Sequence, residues 1–492
     1  MKIKICNLGI IKEANIDIKP LTIFIGPNNS GKTWLAYILA GIFGVVGFSE
    51  YLSGIEKGTI SANYDILDKA IEQVLNRGTA SIDMVQFAEE YGQKYFNNVA
   101  QAAKEWLPEF MATRESPFKN LDVEINLADT KKEFIENVLN TELRAQIPAR
   151  PQEPLISIRK NPGEAKLYIF TSTQSTSSDT TLSEEKIDEA IPLSIIKDLL
   201  FRYAFLIIHR SLYQKIQILP TERTTFITFP FPIRKKDNKE QSANESITTS
   251  VEDGVRMSGA VGAFMSMIQE AYDNEAGEGA RRKRSAKNNP NIRKYIQLAQ
   301  ILEQQILNGK VILSPQNLPT LKDSSKQKRD TSLRAALFQP TPDSTLEISV
   351  ASSMVKELSP LVLYLRYVAL PGELLIIDEP EMNLHPEAQA KMIEFLTILV
   401  NSGLKILITT HSPYVLDHLS NLTKAYGVKD KEEIEKDFYL QRTDAFISKN
   451  KVSIYLFNQQ EKPKEVMGKD GVIELGTFGK VSDDISDIYF KL

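Results

Sequence analysis

Alternating and periodic apolar positions divide the first part of the chain into strands followed by a helix. The stretches IKICNL and NIDIKP alternate apolar and polar residues, which is typical of half-buried strands. LTIFIG is a short apolar run that ends at a glycine, and TWLAYILAGIF, just beyond it, is apolar enough for a buried helix. The first 47 residues therefore predict three strands, a loop and a helix.

The spacing of apolar positions changes further along the chain. From about Phe48 to Arg150 it becomes helical, with charged faces and aromatic residues, and we interpret this region as a helical insertion. EPLISIRKNPGEAKLYIFTST then predicts a hairpin that turns at Asn161–Gly163. Thr171–Thr181 is almost entirely serine and threonine and predicts an exposed loop, and Ile191–His209 predicts an amphipathic helix.

The second half of the chain returns to alternating strands and helices. KIQILPTERTTF predicts a strand that leads into a polar turn, and roughly Pro230 to Leu333 is the least regular region. STLEISV, GELLIIDEP and LKILITT then predict strands, separated by the helical stretches LSPLVLYLRYVAL and HPEAQAKMIEFLTILVNSG. This alternation predicts an α/β fold: a mostly parallel central sheet with antiparallel N-terminal strands and helical insertions.

Composition narrows the class of protein. With 492 residues and 42% hydrophobic content, the chain is long enough for two to four units of about 150 residues each. A net charge of −4 argues against a polycation that coats nucleic acid. The single cysteine, Cys6, excludes an intrachain disulfide framework and favours a reducing compartment. One cysteine and four histidines also argue against a cluster of His and Cys metal ligands.

Hydropathy gives no sign of a membrane segment. The longest nearly uncharged apolar stretch, Ala36–Phe48, is shorter than the about 20 residues that a spanning helix needs. Met1–Ile11 lacks the apolar run of a secretion signal. We therefore expect a cytoplasmic protein with no membrane contact.

The segment FIGPNNSGKT predicts a phosphate-binding loop. It satisfies the pattern G-x-x-x-x-G-K-[ST] between a predicted strand and a predicted helix. Glycines let backbone N–H groups converge on phosphates, and the helix N-terminus attracts the anion. Lys32 is expected to reach the outer phosphates of ATP, and the Thr33 hydroxyl to bind Mg²⁺. The predicted nucleotide-binding residues are Gly26, Pro27, Asn28, Asn29, Ser30, Gly31, Lys32 and Thr33.

Two later strands end in groups that suit phosphate chemistry. LLIIDEP places Asp378 at the carboxyl end of a buried strand, where α/β sheets bind ligands, and Asp378 suits a Mg²⁺ site. Glu379 is the candidate that polarises the attacking water. ILITTHSP ends another strand, and His411 at its tip is a candidate partner of the γ-phosphate or the water. Acidic turns and capping histidines also occur without such roles. Here the same chain also carries Lys32 in a phosphate-loop pattern, and this combination favours the catalytic interpretation.

Three segments together resemble a known family. GPNNSGKT, IIDEPEMNLHPE and TTHSPYVLDHL resemble the ABC-type P-loop ATPases of the SMC, RecF and overcoming-lysogenisation-defect group, especially the standalone AAA-15-like ATPases of bacterial anti-phage systems. The likeness covers Met1–Gly47 and Glu347–Leu419. It implies an ATPase head in which Asp378 and Glu379 form the Walker B pair. It also implies that Asn383–Pro386 is the D-loop and His411 the switch histidine.

The resemblance also implies a signature sequence, for which SSMVKELSPLVLYL is the match. Ser352 and Ser353 would approach the γ-phosphate held by a second subunit, so the resemblance implies a head-to-tail dimer or a higher oligomer of dimers. Met354 stands where relatives carry glycine, and its bulk favours slow turnover. No residue matches the glutamine loop well, so Glu222 and Arg223 both stay candidates there.

The insertions and the C-terminal segment lie outside the two stretches that the resemblance covers. The basic run Arg281–Arg284 leaves a nucleic-acid contact open. The C-terminal segment is too short for the Toprim nuclease domain of some relatives, so a separate protein is expected to cut any nucleic acid.

We divide the chain into six regions. They are a Walker A lobe at 1–47, a helical insertion at 48–150, a return to the core at 151–229, a second insertion at 230–333, a lobe with the signature, Walker B, D-loop and switch histidine at 334–424, and a cap at 425–492.

Three functions stay open at this level. The first is a Mg²⁺-dependent ATPase subunit of an anti-phage system such as PARIS or Septu, which controls a separate effector such as a Toprim or HNH nuclease. A variant of it is an ATP-bound scaffold with little hydrolysis. The second is a RecF-like DNA-repair ATPase, for which salt-dependent DNA binding would speak. The third, the engine of an ABC transporter, is disfavoured by the long insertions and the missing signature glycine.

Overall fold

The chain forms two compact units. Unit 1 comprises Met1–Ile5, Ile42–Trp106 and Leu121–Gln214, and unit 2 comprises Cys6–Gly41, Leu107–Asn120 and Lys215–Leu492. The computed structural model describes residues 1–61, 63–150, 153–171, 193–228, 257–276, 289–315, 334–459, 461–468 and 473. The Ser/Thr-rich segment after Thr171, the basic run Arg281–Arg284 and the C-terminal TFGKVSDDISDIYFKL lie outside these residues.

Helices and strands alternate along most of the described chain. The helices are α1 Lys32–Phe43, α2 Val45–Glu56, α3 Asp65–Arg77, α4 Met84–Phe110, α5 Lys131–Asn140, α6 Leu193–Leu212, α7 Arg223–Thr228, α8 Gly259–Ala276, α9 Pro290–Leu302, α10 Ser353–Leu363, α11 Pro386–Asn401, α12 Pro413–Tyr426 and α13 Lys431–Ile434. The strands are β1 Lys2–Leu8, β2 Ile11–Asp17, β3 Leu21–Ile25, β4 Thr79–Asp83, β5 Asp122–Asn126, β6 Leu143–Arg150, β7 Glu153–Lys160, β8 Lys166–Thr171, β9 Ile216–Leu219, β10 Lys310–Pro315, β11 Arg334–Thr341, β12 Ser344–Glu347, β13 Leu374–Asp378, β14 Lys405–Thr410, β15 Val452–Leu456 and β16 Lys464–Glu465.

Unit 2 is built on a six-stranded sheet with the order β16-β15-β3-β14-β13-β9. β15, β3, β14, β13 and β9 run parallel, and only the edge strand β16 is antiparallel to its neighbour. The predicted mostly parallel sheet is therefore confirmed. Its register places Ile25 opposite Thr410, and Asp378 opposite Thr409, so the carboxyl ends of three strands meet at one edge.

The core of unit 2 explains why these strands read as unbroken apolar runs. Every residue of β3 and of β13 is buried, which is typical of parallel strands covered on both faces. α11 begins with Pro386 at its first position, where the missing N–H costs nothing, and buries its apolar face in the same core. A second sheet, β10-β11-β12, lies within the same unit.

Unit 1 contains a four-stranded antiparallel sheet with the order β4-β8-β7-β6. The hairpin predicted to turn at Asn161–Gly163 is formed by β7 and β8. Residues 48–150, which we expected to be helical, also contain the strands β4, β5 and β6, because short alternating stretches such as TASID give no helical signal and find their partners far along the chain.

Two other segments differ in part from expectation. The strand in KIQILPTERTTF leads into a turn at Thr221–Glu222, as predicted, and the chain then forms the short helix α7. STLEISV is a strand only to Glu347 and then forms a 3₁₀ turn at Ile348–Val350. In the part of the chain that the structure describes, no single helix is long and apolar enough to cross a membrane; α1 and α2, bent by 54°, reach that length and composition only as a pair.

Candidate functional site

The glycine-rich loop between β3 and α1 has a backbone that only small residues can form. Gly26 has a φ of +139°, and a Cβ there would overlap the carbonyl oxygen of Phe457. Gly31 has a φ of +93°, and a Cβ there would lie 2.7 Å from Cδ1 of Ile11. Positive φ strains residues that carry a side chain, so both glycines of the predicted motif are required by the backbone and by close packing.

Lys32, the first residue of α1, is folded onto this loop. Its side chain is 4% exposed, and its Nζ donates to the carbonyl oxygens of Gly26 at 3.0 Å and Pro27 at 2.9 Å. Burial lowers the pKa of Lys32, and the carboxylates of Glu379 and Asp378 oppose that shift. Phosphate oxygens would be stronger, charge-assisted acceptors for this ammonium than the two carbonyls that hold it.

Asp378, at the end of β13, is fully buried and accepts hydrogen bonds from three hydroxyl groups. Thr33 donates to its Oδ1 at 3.0 Å, Tyr37 donates to its Oδ2 at 3.1 Å, and Thr409 donates to its Oδ1 as well. Burial raises the pKa of Asp378, while the bonds from Thr409 and Thr33 act in the opposite direction because they stabilise the anion.

The same residues fit a magnesium ion. Thr33 and Asp378 are joined by a hydrogen bond and offer hard oxygen ligands, which Mg²⁺ prefers. Over the described ranges, no group of three or more His, Cys, Asp or Glu side chains could hold a metal by itself. That finding suits Mg²⁺, which is usually bound by one or two protein oxygens together with substrate phosphates and water.

Glu379 is held beside His411 in an unusual backbone conformation. Its Oε1 lies 3.0 Å from Nε2 of His411, and this hydrogen bond is the main cause that lowers the pKa of Glu379. Glu379 has a φ of +48°, a strained value for a residue with a side chain. Its N–H donates to both the carbonyl and the hydroxyl oxygen of Thr409, each at 3.1 Å, and these bonds hold the strained peptide in place.

A second glutamate, which the sequence analysis did not single out, positions the histidine. Oε1 of Glu381 accepts from the hydroxyl of Thr410 and from the backbone N–H of His411, both at 2.7 Å. Ser412 then caps α12 through Val415 and donates to Gln389 on α11 at 2.5 Å. The only sequence signal for Glu381 is a third acid just beyond Asp378 and Glu379.

The structure also separates the two residues that the sequence left open at the end of β9. Glu222 is exposed, whereas Arg223 is buried and donates to the carbonyl oxygens of Asp378 at 2.6 Å and Glu379 at 2.8 Å. Arg223 also forms an ion pair with Glu357, a residue of α10. No pattern in the sequence connects these two side chains, which lie far apart in the chain.

The predicted signature begins α10. Ser352 is the N-cap of this helix, and its Oγ accepts from the N–H of Val355 at 3.3 Å. Ser352 and Ser353 are exposed, and Met354 packs partly against the core. Within the part of the chain that the structure describes, the hydrogen bonds of Ser352 stay inside its own helix. Its predicted contact with a nucleotide on a second subunit stays a prediction.

Most predicted site residues therefore meet at one edge of the sheet. Lys32, Thr33, Asp378, Glu379 and His411 are connected by direct bonds or by electrostatic interaction. Ser30 accepts from Lys32 at 3.5 Å, and Pro27, Asn28 and Asn29 form the exposed tip of the loop. The roles of these residues in binding and hydrolysis stay predictions.

Comparison with known proteins gives a family and several distant structures. A family described as AAA ATPase domain, AAA-15, matches residues 1–416. Among solved structures, an SMC head bound to the C-winged helix domain of ScpA has a TM-score of 0.37 and 12% identity, covering 94% of this chain and 97% of that one. The SMC head domain of Thermotoga maritima has a TM-score of 0.27 and 11% identity, covering 85% and 90%. The recombination mediator RecF has a TM-score of 0.30 and 9% identity, covering 94% and 97%. No curated protein matches the chain.

Proposed function

This chain belongs to the AAA ATPase domain family, and we propose that it binds ATP with Mg²⁺, hydrolyses it slowly, and uses the bound nucleotide to switch the pairing of ATPase heads. We further propose that the paired heads control a separate effector in anti-phage defence. The observation that carries the ATPase proposal is the convergence of Lys32, Asp378 and the Glu379–His411 pair at one sheet edge.

The binding step would use groups that already face each other. Lys32 would exchange its two carbonyl acceptors for phosphate oxygens, and the N-terminus of α1 would add its partial positive charge. Thr33 and Asp378 would hold the Mg²⁺ ion, which neutralises negative charge on the phosphates when bound.

The hydrolysis step would rest on Glu379 and His411. A carboxylate with a lowered pKa stays ionised near neutral pH, so Glu379 can orient and polarise a water molecule. His411, 3.0 Å away and fixed through Glu381, would respond to the γ-phosphate and keep the carboxylate in place. The backbone strain at Glu379 supports a functional assignment, because strained residues concentrate at active sites.

The assembly step follows from the exposed start of α10. Ser352 and Ser353 are exposed there, at a helix N-terminus that can face an anion held by a second copy of the chain. A head-to-tail pair would bring this end of α10 to the nucleotide of the partner. The defence role and the separate effector, a Toprim or HNH nuclease, rest on the resemblance of the three sequence motifs to standalone defence ATPases.

Two substitutions test the ATPase proposal. Lys32→Ala should abolish ATP binding, because the loop loses its only cation. Glu379→Gln should keep ATP binding, lower hydrolysis on the order of 100-fold and stabilise paired heads, since the water loses its base while the pocket survives. ATP affinity, phosphate release and the molar mass in solution with ATP measure these effects.

The exposed Glu387 provides a matched Glu→Gln control, because its ion pair is with Lys391 on its own helix and its replacement should leave hydrolysis unchanged. Undiminished ATP affinity in Lys32→Ala would refute the phosphate-loop assignment. For the defence role, cells that carry this gene with its neighbours should lose protection against phage when Lys32 is replaced by Ala. Salt-dependent DNA binding without any protection would instead indicate a repair ATPase.

A further inference from the structure

Arg223 occupies a position that the proposed mechanism has not used. It is 1% exposed and begins α7, which is separated from β9 by Pro220, Thr221 and Glu222. Its Nη1 donates to the carbonyl oxygens of Pro220 at 2.7 Å and Asp378 at 2.6 Å, and its Nη2 donates to that of Glu379 at 2.8 Å. The guanidinium thus holds the last peptide carbonyl of β13 and the next one, which belongs to the strained Glu379.

The other side of this guanidinium faces α10. Arg223 forms an ion pair with Glu357, whose side chain is fully buried. Oε2 of Glu357 also accepts a hydrogen bond from Nδ2 of Asn383 at 3.4 Å, and Asn383 has a φ of +61° in the loop that follows β13. A continuous polar path therefore runs from the helix that begins at Ser353, through Glu357 and Arg223, to the peptide of Glu379.

This path is energetically unusual. Apolar side chains, including Leu219, Leu358 and Leu361, line the small cavity around the ion pair. Taking two charges out of water costs several kcal/mol per ion, and a well-packed hydrophobic pair is often as stable as a buried ion pair. Stability alone therefore gives no reason for an arginine and a glutamate here. A planar fork with several donors does give a reason, because it can hold two carbonyls and one carboxylate together.

We propose that Arg223 is a positioning residue for ATP hydrolysis, which fixes the peptide of Glu379 and couples it through Glu357 to α10. This inference rests on the proposed ATPase function and goes beyond it in naming how the start of α10 acts on the catalytic carboxylate. A shift of α10 on meeting a nucleotide would move Glu357, and Arg223 would transmit that shift to Glu379. Arg223 itself touches neither nucleotide nor water in this scheme.

The first test is Arg223→Lys. Lysine keeps the charge and the partner Glu357, but a single ammonium cannot reproduce the fork, so the Glu379 peptide loses its support. We expect kcat to fall about tenfold or more, because small misplacements of catalytic groups cost factors of this size, while the ATP affinity stays within about twofold of wild type. Fluorescence of Trp34 measures that affinity in a Trp106→Phe background, because Trp34 follows the phosphate loop and stacks on Phe118 at 5.7 Å.

The second test separates positioning from folding. Arg223→Met with Glu357→Met removes both charges together, so no buried charge is left unpaired and the double variant should fold, with a melting temperature lowered only by the carbonyls that lose their donor. Its kcat should still be at least about tenfold lower, because the carbonyls of Asp378 and Glu379 have lost their donor. Should Arg223→Lys fail to fold, the double variant decides the question.

Arg366 provides the matched control. It pairs with the buried Glu303 and donates to the carbonyl oxygen of Val311 at 2.7 Å, so it is also an arginine between a carboxylate and a carbonyl. Arg366→Lys should lower stability to a similar extent and leave kcat unchanged. A wild-type kcat in folded Arg223→Lys or in the folded double variant would overturn this inference and leave the proposed ATPase function standing. A wild-type chain that fails to hydrolyse ATP would contradict the proposed function and this inference with it.

Discussion

The two ends of β13 carry buried carboxyl groups with different hydrogen-bond donors. Glu373 directly precedes the strand and Asp378 ends it, and both side chains are 0% exposed. Glu373 accepts one hydroxyl, that of Tyr364 at 2.6 Å, and burial raises its pKa to about 7. Asp378 accepts three hydroxyls.

The difference lies in the donors, since both ends share one strand and one degree of burial. Burial alone moves a carboxyl group toward its neutral form, because a low-dielectric environment disfavours charge. Three hydroxyl donors oppose that effect at Asp378, where burial nevertheless raises the pKa. The two strand ends thus differ in the number of hydroxyl groups that stabilise the anion, and the end with three of them meets Lys32.

Replacing Asp378 should have the largest effect. Asp378→Asn keeps the shape of the side chain but removes the charge proposed to face Mg²⁺, so ATP hydrolysis should fall on the order of 100-fold. The melting temperature should change little, because no buried charge is left unpaired. Steady-state hydrolysis at several Mg²⁺ concentrations measures the effect, and hydrolysis at the wild-type rate would show that the two ends do not differ in function.

The same exchange at the other end should leave activity alone and change stability. The pKa of Glu373 is about 7 in the folded protein and about 4.5 in the unfolded chain, so the folded state binds more protons between these values. Its contribution to the free energy of unfolding is complete below about pH 4.5 and is lost as the pH rises through 7, a loss on the order of 3 kcal/mol.

Glu373→Gln should remove this loss and make the variant more stable than wild type at pH 8. Denaturant midpoints at pH 5, 6, 7 and 8 test it. Glu432→Gln, at an exposed position on α13, is the control that should leave the profile unchanged. Equal pH profiles for wild type and Glu373→Gln would mean that Glu373 is ionised in the folded state.

Removing a single hydroxyl should give the smallest effect. Tyr37→Phe deletes one of the three donors to Asp378, so the pKa of Asp378 should rise and the acidic limb of the pH–rate profile should move to higher pH. A lost hydrogen bond of about 1 kcal/mol should raise the Mg²⁺ concentration needed for half-maximal hydrolysis a few-fold. Tyr364→Phe removes the hydroxyl at Glu373 and should leave that dependence unchanged, and equal Mg²⁺ curves for both variants would contradict the assigned role of the hydroxyls.

The sequence predicted the parts of the site that have local signals. Each of these signals is contained in a short stretch of sequence. They are the glycine pattern before Lys32, the apolar strand that ends in Asp378, and the apolar strand that ends just before His411. Parallel pairing then brings strand ends to one edge without further information. The sheet class and the proximity of these residues could therefore be predicted from the chain alone.

The parts that were missed depend on partners distant in sequence. Arg223 was one of two candidates after β9, but its partners were not predicted: it meets the carbonyl of Asp378 across a separation of 155 positions, and an arginine after a strand has no local feature that reveals this. Glu381 was hidden among neighbouring acids, and its role appears only when β14 supplies Thr410 and His411. The strand β4 escaped detection because its partner β8 lies beyond two helices and three other strands.

The strand order of the central sheet has a consequence for folding during synthesis. β3 is flanked by β14 and β15, and a carbonyl from Phe457 packs against Gly26. During synthesis the ribosome makes the nucleotide loop early but its two flanking strands late. If the loop binds ATP as proposed, a nascent chain lacks the complete surroundings of that loop until translation passes Phe457, and prematurely terminated products without β15 should bind ATP weakly.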